Sequence, residues 1–148
     1  MTKNDETKIK YLEMLQAVIS RMNSNAFAVK NWFMVSVGGL MAMFFKTGTI
    51  AMLLLAIIIT LAFFMYDASY LQMERWYREK YKRALKDESN LFDMVIDNDI
   101  KNTITLGSVM NSPSLGVYKV AGIILIILAI FNIPSEIHNI ICSLICIK

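Results

Sequence analysis

Ile50-Ala-Met-Leu-Leu-Leu-Ala-Ile-Ile-Ile-Thr-Leu-Ala-Phe-Phe-Met-Tyr66 passes directly into Asp67-Ala-Ser-Tyr-Leu-Gln-Met-Glu-Arg-Trp-Tyr-Arg-Glu-Lys-Tyr81. The first half is apolar apart from the hydroxyls of Thr60 and Tyr66; the second is dense in charge and aromatic rings. Neither Gly nor Pro interrupts them, and most of the residues are good helix formers. Seventeen apolar-to-neutral residues sit at the short end of the range that crosses a bilayer as a helix. One helix is therefore expected to pass from membrane into water, with the surface at Tyr66-Asp67.

The rest of the chain arranges itself around that crossing. Of its 148 residues, 56% are hydrophobic, more than the surface of a small water-soluble domain can carry. The net charge of +3 is unevenly spread. Arg75 to Lys86 is strongly basic and Asp87 to Asp99 is acidic. The polar start Met-Thr-Lys-Asn-Asp-Glu has no apolar core, so no cleavable signal peptide is expected and the first span serves as its own insertion signal.

Upstream, residues 6–25 read as a cytosolic amphipathic helix. Ile9, Leu12, Leu15, Val18 and Met22 recur at helical spacing, with Met14 and Ile19 widening the stripe. Such a helix packs on a neighbour or lies flat on the membrane. Asn23-Ser24-Asn25 offers a bend. Residues 26–46 form the first span, with Lys30 snorkelling to the headgroups beside Trp32. Within it Gly38, Gly39 and Ala42 offer a small-residue face for another helix. Lys46-Thr-Gly-Thr49 is a tight turn, Gly48 supplying positive φ. The second span, 50–67, continues as a basic helix to residue 86.

The turn sets a register, because both arms rise equally per residue. Counted from Gly48, Lys30 matches Asp67 in depth, Arg21 matches Glu74, and Glu13 matches Lys82. The first two matches are candidate interhelix pairs. Lys30 and Asp67 snorkelling separately is the alternative. Gly38 and Gly39 fall opposite Ile57 and Ile58.

The basic exit of the second span, Arg75 to Lys86, places that end and the N-terminus in the cytoplasm by the positive-inside rule. Basic and aromatic residues together also invite a nucleic-acid reading. Attraction to anionic lipid explains them more simply beside a span, so no sequence-specific nucleic-acid binding is expected. Residues 87–113 read as a short acidic helix, capped near Asp87 or Ser89, followed by a loop from Asn102. The acidic helix either folds back on the basic one or binds a partner. Residues 115–133 are the third span, ended by Pro134. Residues 134–148 form a tail on the outer side. There His138, Cys142 and Cys146 share a stripe too long to hold one ion; an inter-subunit disulfide is the use that an oxidising side would allow.

Catalytic patterns are missing. A single His, no phosphate loop, no dinucleotide fingerprint and no HExxH motif argue against an enzyme, and no cofactor or metal is expected.

Two strings carry a family resemblance: Gln16 to Trp32, and Asp67 to Tyr81. They resemble the RdrD-type small membrane accessory proteins of bacterial RADAR anti-phage systems, and similar accessories of type VI-B CRISPR loci. The family pattern runs roughly I-x-R-M-x-x-N-S-F-x-x-K-x-W, a short hairpin, then D-x-x-Y-L-x-x-E-R-x-Y-R-x-x-Y. Arg21, Met22, Asn25, Phe27, Lys30, Trp32, Asp67, Tyr70, Leu71, Glu74, Arg75, Tyr77 and Arg78 match; Ala26 departs where Ser is usual. The resemblance covers Tyr11 to Lys86. It implies an accessory role in phage defence with a cytosolic ATPase or deaminase effector as partner. A looser likeness is to two-span defence effectors that perforate the membrane.

The expectation is thus an all-α inner-membrane protein: a long antiparallel transmembrane hairpin extended into the cytoplasm, plus a third span. The N-terminus is inside, the C-terminus outside, and the chain a homo-oligomer through its Gly38-Gly39 face. It acts as an adaptor through Arg75, Arg78, Lys82 and Arg83 with Asp93 and Asp97; an oligomeric pore is the alternative. The adaptor is favoured because no span carries a polar stripe to line water.

Overall fold

The computed structural model describes residues 3–86 and 93–146, and side chains over 5–86 and 93–132. The regular structure of the described chain is all helical. Helix α1 is Lys3–Thr47, α2 is Ile50–Lys86, α3 is Asn98–Thr103, α4 is Leu106–Met110 and α5 is Gly116–Cys146, with a 3-10 turn at Pro113–Leu115 before α5. Among the described residues there is no strand. Three of the helices are long and apolar enough to cross a membrane. The chain divides into two compact units, one of Met1–Val29 and Tyr66–Pro113 and one of Lys30–Met65 and Ser114–Lys148.

The second unit is the apolar one. Its turn forms as the local sequence dictates. Gly48 takes φ 68°, and its N–H donates to the Phe44 carbonyl at 2.8 Å, closing α1 with a left-handed C-terminal cap. The Thr47 hydroxyl donates to the Met43 carbonyl at 2.9 Å and receives the Thr49 amide at 3.4 Å. Below the turn a buried cluster joins three helices: Phe44 from α1, Leu53 and Ala56 from α2, Leu125 and Ala129 from α5. The alanines let the backbones approach, which in hydrocarbon substitutes for the missing hydrophobic drive between helices. Farther from the turn Phe33 is buried, its ring 6.0 Å from Phe63 and 4.5 Å from Tyr118.

Around that core the unit is coated with apolar side chains. Trp32, Val35, Phe45, Ile58, Leu61, Ile123, Ile130 and Phe131 are each more than half exposed. A monomer in water rarely exposes an apolar surface of this extent; it is compatible with insertion in a bilayer.

The first unit is built on the opposite principle. One stripe of α1 is packed, with Tyr11, Leu15 and Ala26 buried and Val18 and Met22 half-buried. The stripe is rotated from the expected one: Ile9 and Met14 are exposed, and Tyr11 takes the inner position. Ile96, Ile100 and Val109 bury their side chains here as well.

Several expected boundaries move. No break or new cap occurs at Asn23-Ser24-Asn25: α1 is continuous through them, and all three residues are exposed. Asn and Ser inside a helix lower its propensity by only a few tenths of a kcal/mol each, about 0.5, which a packed stripe outweighs. Asp93 to Asp97 is not helical; the helix in this region begins at Asn98. The expected cap at Asp87 or Ser89 lies outside the described residues. The expected loop after Asn102 contains α4. Helix α5 does not stop at Pro134 but runs on to Cys146. Proline deprives one carbonyl, that of Ile130, of its partner. Ending the helix there would instead leave its last four carbonyls without intrahelical partners. The side chains of His138, Cys142 and Cys146 lie outside the described residues.

Candidate functional site: two stripes on the basic helix

The charged half of α2 presents two faces. Trp76, Lys80 and Arg83 recur at intervals of four and three, as do Arg75, Arg78 and Lys82 at three and four. These are two helical stripes about 130° apart. The first is occupied within the chain, and its occupant is residues 93–104, from the second half of the acidic stretch onward.

Lys80 is almost entirely buried. Its ammonium donates to the Val95 carbonyl and lies 3.5 Å from the Asp93 carboxylate. That carboxylate also accepts the Val95 amide at 2.9 Å, folding residues 93–95 into a tight turn. Tyr11 of α1 donates its hydroxyl to the Asp93 carbonyl at 2.6 Å. Arg83 donates to Asp99 at 2.8 Å. The Ile104 carbonyl, at the break between α3 and α4, accepts both Gln72 Nε2 at 3.0 Å and Trp76 Nε1 at 2.9 Å. Lys8 donates to the Leu85 carbonyl at 3.3 Å. The described part of the acidic segment, from Asp93, thus folds back on the basic helix, one of the two options open from sequence.

The electrostatics agree with that docking. The Val95 amide, with help from Lys80, holds the Asp93 carboxyl below its ordinary value. Burial, then the charges of Asp93 and Asp97, pushes the Tyr11 hydroxyl up. The hydrogen bond that Arg83 donates to Asp99 pushes the guanidinium up. Each shift favours the protonation state that makes the contact.

The second stripe faces outward. Arg78 and Lys82 keep 57% and 71% of their side-chain surface exposed, so both remain open to a partner. Arg75 is half-exposed. Arg78 pairs with Glu74 at 2.6 Å and Lys82 with Glu79 at 3.7 Å, all on α2.

The candidate residues therefore separate. Arg75, Arg78 and Lys82 share an accessible stripe. Arg83 and Asp93 hold the fold of this unit, and Asp97 is exposed beside them. Glu74 is buried and bound to Arg78, not to Arg21, whose side chain is exposed. Lys82 likewise finds Glu79, not Glu13. Depth-matching fixed height but not rotation, and the nearest opposite charge lay one turn away on the same helix. Asp67 is buried in the first unit, and Lys30 is half-buried in the second. Gly38 and Gly39 are exposed, and a side chain at either would meet nothing within 4 Å, so Ile57 and Ile58 do not press on them. The sequence reading missed Tyr11, Gln72 and Lys80; Tyr11 was signalled only by its place four residues before Leu15. Comparison with protein-family models, curated proteins and solved structures finds no match to this chain.

Proposed function

We propose that this chain is an accessory protein of the bacterial inner membrane that serves an anti-phage defence system. In this reading it is a transmembrane hairpin plus a third span, with the N-terminus in the cytoplasm and the C-terminus outside. It is a non-catalytic adaptor that recruits or modulates a cytosolic effector, an ATPase or deaminase by resemblance. The observation that carries the adaptor role is the division of the basic helix into an occupied and an open stripe. Docking of residues 93–104 uses Lys80 and Arg83 and leaves Arg75, Arg78 and Lys82 accessible. Homo-oligomers form through the exposed Gly38-Gly39 face.

The alternative, an oligomeric pore, requires a polar stripe along a span. Thr60, the polar residue of the second span, does not supply one. It is buried, and its hydroxyl donates to the Ala56 carbonyl at 2.7 Å.

The test is capture of effector from cells carrying the neighbouring genes. Arg75→Glu with Arg78→Glu should abolish capture while membrane insertion is retained. Retained capture would overturn the adaptor role. Loss of membrane potential on expression of the chain alone would favour the pore. Reporter fusions after Lys86 that are active outside the cell would overturn the orientation.

A further inference from the structure

Within the apolar unit, α2 and α5 leave a groove of about 480 Å³ between them. Phe64 and Tyr118 stand at one end with Lys119, and Ile57 and Ile126 lie at the other. From Phe64 to Ile57, and from Lys119 to Ile126, is seven residues, so each wall is about 10 Å long at 1.5 Å per residue. Thr60 lies in one wall but turns its hydroxyl to the Ala56 carbonyl, which leaves the lining hydrocarbon. Position 122 in the groove lining is glycine, and a Cβ built there would meet no atom within 4 Å, so a larger residue would extend into the open space.

We propose that this groove is a phospholipid site, taking one acyl chain along Gly122 and the anionic headgroup at Lys119. The inference rests on insertion of these helices in a bilayer, not on the defence role. In that setting the solvent available to fill an apolar slot is acyl chain, and the groove runs along the helices as a chain does. The single cationic side chain of the lining stands at one end, where a headgroup would lie; the other end is aliphatic. Basic residues at the rim of a groove between spans select anionic headgroups over zwitterionic ones.

The test uses the purified full chain in detergent, titrated with phosphatidylglycerol or phosphatidylcholine of identical acyl chains and read by native mass spectrometry. The wild-type chain should retain phosphatidylglycerol at least fivefold better than phosphatidylcholine. Gly122→Ile, whose Cβ meets no atom within 4 Å, should cut retention of both lipids about tenfold. Lys119→Gln should erase the preference while leaving phosphatidylcholine binding unchanged. Ile130→Phe adds bulk to α5 at an exposed position outside the groove and should leave retention as in the wild type. Should Gly122→Ile fail to fold, Ile126→Phe blocks the same groove from one turn away. Wild-type lipid retention by the groove-filling variants, or an intact preference in Lys119→Gln, would overturn the site. A changed copy number in Gly122→Ile with lipid retention untouched would overturn it in favour of a second copy of the chain.

Discussion

Phe33 and Phe63 stand fifteen residues on either side of Gly48, and their rings lie 6.0 Å apart at an interplanar angle of 58°. Equal counts from the turn do bring side chains to equal height here. Phe33 is 1% exposed, with Tyr118 on it as well. Its contribution in hydrocarbon is dispersion and shape, not exclusion of water. Phe33→Ala should cost about 3 kcal/mol, the low end of such truncations in protein cores. Phe45→Ala, at a position 73% exposed, should stay within about 0.5 kcal/mol. Thermal unfolding of both variants in one detergent checks the contrast.

Gly48 holds φ 68°, where a Cβ is disfavoured by about 1–2 kcal/mol. Gly48→Ala should lose about that much stability, and Gly48→Asn less, since Asn tolerates the left-handed region. The same unfolding assay measures both.

The docked segment has two pH limits of opposite origin. Asp93 has a folded value depressed below its ordinary 3.8. Its contribution is full above that ordinary value and lost as pH falls through the depressed one. Tyr11 has a folded value raised above its ordinary 10.0. Its contribution is full below pH 10.0 and lost as pH rises through the raised value. Limited proteolysis within residues 93–104, corrected for protease activity, should therefore accelerate at both extremes. Tyr11→Phe should weaken docking near neutrality and remove the alkaline limb only.

Lys80→Met should release the same segment at neutral pH. It removes the donor to the Val95 carbonyl and the partner of Asp93. Because Asp93 is 45% exposed, water takes over much of its solvation, and a loss of about 1–2 kcal/mol is expected. Faster hydrogen exchange confined to residues 93–110, with membrane insertion unchanged, is the readout. Uniform exchange across that segment in variant and wild type would contradict the docking.

Gln72 and Trp76 share one acceptor, the Ile104 carbonyl. Each single replacement, Gln72→Leu or Trp76→Phe, leaves the carbonyl one donor and should cost about 1 kcal/mol or less. The double replacement should cost more than the sum, because only then is the carbonyl left without either donor. Unfolding free energies of the four proteins complete the cycle.

What the sequence determined by itself was whatever depends on neighbours along the chain. Runs of hydrocarbon long enough to span, the glycine that turns at Thr47-Gly48-Thr49, and an unbroken helix through Tyr66-Asp67 are local properties, and each holds in the structure. Height followed too, since rise per residue is constant, as Phe33 and Phe63 demonstrate. Rotation about the helix axes did not follow, because it is set by which side chains pack. Packing turned Tyr11 inward and Ile9 outward, gave Glu74 to Arg78 instead of Arg21, and left Gly38 and Gly39 uncovered. Only the tertiary structure decided that the segment from Asp93 docks on Lys80 and Arg83. Its carboxylates could have met those cations or a partner's with equal chemistry, and the choice was made by where the Val95 and Ile104 carbonyls come to lie against buried donors of α2.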